Sequence, residues 1–159
     1  MPKMPQIEWD EKAPPARNAG RGLPVLAAAY FVYQREVLAA GPAPADLHAV
    51  RLATKRLRYT LELFRPCYGP ALESRLEALK EVQQALGDLN DSVATAELLR
   101  SAARHSPQRA RLLGYLEKRA QKQARDFRKH WTEVFDAPGR EPWWTGYLSG
   151  NGRTVRRHS

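Results

Sequence analysis

From Leu23 to about Phe135, apolar residues recur every three or four positions, the spacing that gathers them on one face of an α-helix. The first run covers Pro24–Ala40 and stops at Gly41-Pro42, because proline cannot continue the hydrogen-bond ladder. A second spans about Pro44–Tyr68, with Pro44 in the first turn and Asp46 near the positive end of the helix dipole. Pro66 predicts an early break or a kink in it. Gly69-Pro70 punctuates the chain, and a third helix over Ala71–Leu86 places Leu72, Leu76, Leu79, Val82 and Leu86 on one side. Gly87 predicts a stop, with Asp88, Asn90 or Asp91 capping a fourth helix to about Ala103. Ser106-Pro107 opens a fifth, running to about Phe135 on Leu112, Leu113, Leu116, Ala120, Phe127 and Trp131.

No hairpin signal interrupts this pattern, and the connections are short, so the expected class is all-α, an antiparallel bundle of about five helices over 22–144. Residues 1–21 hold Pro, Gly and charge without sustained periodicity and read as a flexible arm. Beyond Pro138 the periodicity is lost; Trp143-Trp144 stand out, and residues 145–159 read as a basic disordered tail.

The chain of 159 residues suits one domain. Cys67 is its single cysteine, which excludes an internal disulfide, and four scattered histidines do not add up to a structural zinc site. The longest apolar stretch, Leu23–Tyr33, is shorter than the roughly 20 residues a membrane span needs. The amino-terminal MPKMPQIEWDEKAPP lacks the apolar core of an export signal, so a soluble, cytoplasmic protein is expected.

Charge sharpens the picture. The net charge of +9 favours anionic partners, and its placement matters more than its size. At 100° per residue, His48, Arg51, Lys55 and Arg58 fall within an arc of about 80° on the second helix, opposite Val50, Ala53, Leu57, Leu61 and Phe64. His48 to Arg58 covers about 15 Å, with Asp46 and Glu62 expected only at its margins. Arg111, Lys118, Lys122, Arg125 and Lys129 form a second stripe on the fifth helix, within about 60°. Glu73, Glu77 and Glu81 mark an ordinary exposed face of the third helix, with Lys80 a cation at its edge. Solvation alone also produces basic stripes; the functional alternative is a track for an extended polyanion.

The run H-A-V-R-L-A-T-K-R-L-R-Y-T-L-E-L-F from His48, followed by L-K-E-V-Q-Q-A-L-G-D-L-N-D, resembles the CHAD family, the conserved-histidine α-helical domain. His48 matches the histidine that names the family. Arg51, Lys55, Arg56 and Arg58 match H-x-x-R-x-x-x-[KR]-R-[LI]-R, and Leu86–Asp91 matches L-G-x-x-[NR]-D. Trp131, Phe135 and Trp144 resemble the family's C-terminal aromatics, and the likeness covers about 44–144. It implies an all-helical fold that binds inorganic polyphosphate through a basic surface or channel. It also implies association with polyphosphate granules or with triphosphate-processing enzymes. A full CHAD domain resembles two bundles, each with its own motif. This chain carries one copy, and Tyr59 with Asn90 looks more like the second half. Either two copies pair as a homodimer, or a half-domain binds more weakly.

The expected polyphosphate-binding residues are therefore His48, Arg51, Lys55, Arg56, Arg58, Lys80, Lys118, Lys122, Arg125 and Lys129, with no catalytic residue, metal or cofactor. Arginine offers forked donors to phosphate oxygens, and lysine a compact point charge. Two rivals use the same charge. An RNA- or DNA-binding module needs aromatic platforms, yet Tyr30, Phe31, Phe64, Phe127 and Trp131 lie on apolar faces, leaving Tyr59 and Tyr115. Enzymatic phosphate chemistry, or service as an accessory domain to it, draws attention to Asp88 and Asp91, which helix capping also explains. A membrane partner is not expected, because both basic helices spend their apolar faces on the core.

Overall fold

The computed structural model describes residues 4–102 and 106–150. Its helices are α1 (Pro15–Ala39), α2 (His48–Leu63), α3 (Leu72–Ser101), α4 (Pro107–His130) and α5 (Arg140–Ser149). A 3-10 turn, Pro44–Leu47, leads into α2; another, Arg65–Cys67, follows it; and a π turn, Trp131–Phe135, ends α4. No strand occurs among the described residues. The all-α bundle holds, but its elements are divided differently from the sequence pattern.

The first difference is at Gly87. It lies inside one continuous helix, and α3 is about 45 Å long at 1.5 Å per residue. A mid-helix glycine costs about 1 kcal/mol relative to alanine. Here Leu86 and Leu89 on either side are buried, and α3 packs against α2 and α4 along its length. Asp88, Asn90 and Asp91 consequently cap nothing; the Asp88 carboxylate accepts from the Gln84 amide at 2.9 Å.

The second difference is at the ends. Residues 15–21, assigned above to the arm, are the first turns of α1, which runs through Pro24. Asn18 is buried there and pairs with the backbone of Asp10, its Oδ1 accepting from the Asp10 N–H at 2.8 Å and its Nδ2 donating to the Asp10 carbonyl at 3.0 Å. A Cβ at Gly22 would lie 2.5 Å from Ile7 Cγ2, so the absence of a side chain lets the amino-terminal segment cross α1. At the other end, residues 145–149 belong to α5, with Trp144 and Leu148 fully buried. The rest of the expected basic tail, 151–159, lies outside the described residues.

Helix α5 returns to α1 and is fastened to α3 by Arg75. That guanidinium sits 3.6 Å from the Trp143 ring centroid and 3.9 Å from that of Tyr147, and donates to the carbonyls of Ala71 and Trp143. Burial lowers its pKa to about 10, which still leaves it charged near neutrality. Beneath it, Tyr30, Phe31, Trp131, Phe135 and Trp144 form an aromatic core, with Trp131 stacked on Phe135 at 4.5 Å.

Between α1 and α2, Thr54 organises a buried polar knot. Its hydroxyl donates to the Val50 carbonyl at 2.8 Å, so the Tyr30 hydroxyl, 2.7 Å away, donates to Thr54, as does the Gln34 amide at 3.3 Å. A hydroxyl has one proton and two lone pairs, so this arrangement uses it fully.

Candidate functional site

Helix α2 begins at His48, and its buried face, Val50, Ala53, Leu57 and Leu61, fixes where the remaining side chains point. His48 and Lys55 are exposed, and Arg51 and Arg58 are half-buried. The last two turn toward α3. With Lys80, Gln83, Gln84, Gly87, Asp88 and Asp91 they line an open groove of about 430 Å³ between the two helices. Lys80, an edge residue in the sequence pattern, thus joins the second-helix cations.

The three groove cations are held differently. Arg58 donates to Glu62 Oε1 and to Gln83 Oε1, each at 3.0 Å. Glu62 is therefore within the basic stripe rather than at its margin, a position the one-turn spacing to Arg58 dictates. Lys80 pairs with Glu77 at 3.1 Å on a solvent-exposed edge, where such a pair contributes little. Arg51 has neither: among the described residues it makes no ion pair or hydrogen bond, and its Nε is buried without an acceptor. Gly87 faces it, and a Cβ there would lie 3.9 Å from that Nε, so the guanidinium rests against bare α3 backbone. Asp88 and Asp91 line the same groove without forming an ion pair with it, and a partly desolvated cation without such a pair is costly. It is also a prepared receptor for an anion.

His48 and Lys55 likewise have no ion pair among the described residues. The Lys55 ammonium lies 5.5 Å from the centroid of the exposed Tyr59 ring, as does the Arg58 guanidinium. The cations His48, Arg51, Lys55 and Arg58 do share one side of α2. Arg56 is set apart: it turns to the amino-terminal segment and donates to the Pro5 carbonyl at 3.2 Å.

The second stripe is not part of this groove. On α4 the buried Leu116, Ala120, Ala124 and Phe127 occupy one face, while Arg111, Lys118, Lys122, Arg125 and Lys129 are all exposed on the opposite one. Because α3 stands between α2 and α4, the second stripe looks away from Arg51. Lys122 is also paired with Asp126 at 2.7 Å, which pulls the Asp126 carboxyl below the usual range.

Asp88 and Asp91, expected as caps, are instead groove-lining carboxylates one helical turn apart. Among the described residues, no three acidic, histidine or cysteine side chains gather in a way that could hold a metal ion. No helix among them is long and apolar enough to cross a membrane. The aromatics expected in the core are buried, whereas Tyr59 and Tyr115 are about half exposed.

The model of the CHAD domain family matches residues 7–100, more than half of the chain. The chain belongs to the CHAD family. The matched region starts in the segment that crosses α1 and ends near the close of α3, so both walls of the groove lie inside it. It takes in α1, which the motif-based likeness over 44–144 left out, and excludes α4 with its basic stripe. No curated protein and no solved structure matches the chain significantly.

Proposed function

We propose that this CHAD domain binds inorganic polyphosphate, without turning it over, along the α2 face and the α2–α3 groove. The observation that carries the reading is Arg51, a half-buried guanidinium with no ion pair or hydrogen bond among the described residues, which lines one groove with Arg58 and Lys80. His48 and Lys55 extend the cations along about 15 Å of helix. A flexible chain with a charge on every phosphoryl unit meets that spacing without needing a shaped pocket. Arginine forks orient on phosphate oxygens, and released counterions add a salt-sensitive driving force, by analogy with nucleic acids. The α4 stripe acts as a separate, weaker surface, because most of its cations lie open to solvent, where charge is screened. We further propose that the chain works in the cytoplasm, at polyphosphate granules or beside phosphate-processing enzymes, and pairs with a second copy. A doubled mass in solution supports that pairing, and a monomer with and without polyphosphate refutes it.

Charge reversal tests the placement. Arg51→Glu with Lys55→Glu is expected to weaken long-chain polyphosphate binding at least a hundredfold in calorimetry, with the helical circular dichroism retained. Lys122→Glu with Lys129→Glu, on the far face, is expected to cost less than tenfold. Equal losses from the two pairs would replace the groove with a diffuse charge effect. No loss from the first would remove α2 from the site.

A further inference from the structure

The polyphosphate reading leaves Tyr59 unused. Its ring is 48% exposed on α2, whereas Phe64, just past the end of that helix, is buried. The two cations flanking it, Lys55 and Arg58, each stand 5.5 Å from its centroid, and Arg58 also lines the groove. Counting about 100° per residue from His48, Arg58 and Arg51 lie near −80° and −60°, Lys55 near −20° and Tyr59 near +20°. Exposed Leu52 and Leu63 follow at about +40° and +60°. Glu62, paired with Arg58, falls near −40°, so going round α2 a wall of cations with one carboxylate passes through a lysine to an exposed ring with Leu63 one turn beyond it.

That order is the chemical layout of a nucleotide: phosphoryl groups, then a sugar, then a flat base. We propose that the same face accepts nucleoside polyphosphates, with the phosphoryl chain in the Arg51–Arg58–Lys80 groove and the base stacked on Tyr59. The inference rests on the groove's binding phosphate at all. Its own content is the contribution of the ring. Solvated tyrosine commonly sits on protein surfaces without a role, but here both cations that lie over the ring, each at 5.5 Å from its centroid, belong to the wall of cations. Stacking on an exposed aromatic is sequence-tolerant, since every base has a π-face, so no base preference is implied.

Adenosine 5′-triphosphate and inorganic tripolyphosphate, measured by calorimetry in the same magnesium-free buffer, separate the two ideas. Tripolyphosphate carries the higher charge, so charge alone predicts that it binds more tightly. Stacking on Tyr59 is expected to invert the order, with the nucleotide about tenfold tighter. Tyr59→Leu should abolish that preference, and Tyr59→Phe should keep it. If tripolyphosphate binds and the nucleotide binds no better, or the preference survives Tyr59→Leu, this inference is overturned while the groove stands. If neither ligand binds, the groove reading itself fails.

Discussion

Replacing Arg51 with methionine separates function from stability in this fold. Methionine keeps most of the stem volume that packs against Gly87 and removes the charge. In most helices the loss of a half-buried arginine breaks a pair and costs stability. Here there is no pair to break: among the described residues Arg51 makes no ion pair, its Nε has no acceptor, and the charged groups that share its groove, Arg58, Lys80, Asp88 and Asp91, are two of each sign. Removing a partly desolvated charge that makes no ion pair relieves its desolvation, while repulsion from the two cations and attraction to the two carboxylates offset each other. The expected stability change is within about 0.5 kcal/mol of zero or favourable, a Tm shift under about 2 °C for a domain of this size. Binding should respond in the opposite sense. A charge-assisted hydrogen bond is worth about 1.5–3 kcal/mol, so polyphosphate affinity should fall roughly 10- to 150-fold. Arg58→Met is the comparison: it breaks the contacts to Glu62 and Gln83 and should cost about 1 kcal/mol of stability as well. Thermal melts and calorimetry on both variants decide the matter. If Arg51→Met melts well below the parent and binds polyphosphate as tightly, the guanidinium is a packing element and the argument is wrong.

Two further outcomes follow from buried groups. Tyr30→Phe removes one donor to Thr54, which keeps its bond to Val50 and its bond from Gln34, so about 1 kcal/mol should be lost in urea titrations. Thr54→Val strands both the Tyr30 hydroxyl and the Gln34 amide and should cost about 2–4 kcal/mol; equal losses from the two variants would contradict the donor assignment. Burial raises the pKa of the Tyr30 and Tyr68 phenols well above the ordinary value near 10. The unfolded chain therefore releases those protons first. Their stabilising contribution is complete below about pH 10 and shrinks as pH rises through the native values. Tyrosinate absorbance from these two residues should thus appear together with loss of helical signal, and full titration with the helices intact would refute the assignment.

The H-x-x-R-x-x-x-K-R-x-R run could be read directly, because helical spacing alone puts His48, Arg51, Lys55 and Arg58 on one side of α2, opposite a buried face. The core aromatics were legible for the same reason. The partners of each cation were not. Glu62 is one turn from Arg58 and could have been paired with it from spacing, whereas Gln83 reaches Arg58 from α3 and Pro5 receives Arg56 from the amino-terminal segment.

By itself, then, the amino-acid order determined the helical class, the basic face of α2 and the residues that bury against it, since each depends on neighbours within a turn or two. Tertiary packing decided the rest. It carried α3 straight through Gly87, because flanking leucines buried on both sides outweigh a single glycine's cost of about 1 kcal/mol. It drew residues 15–21 and 145–149 into helices through Asn18, Arg75 and Trp144, contacts that bridge distant segments. It also chose which cations share a groove: α3 brings Lys80 to the groove that Arg51 and Arg58 line and, by standing between α2 and α4, keeps the second stripe on another face. A periodic pattern reports which way a side chain points from its own helix axis, and only packing sets what lies opposite.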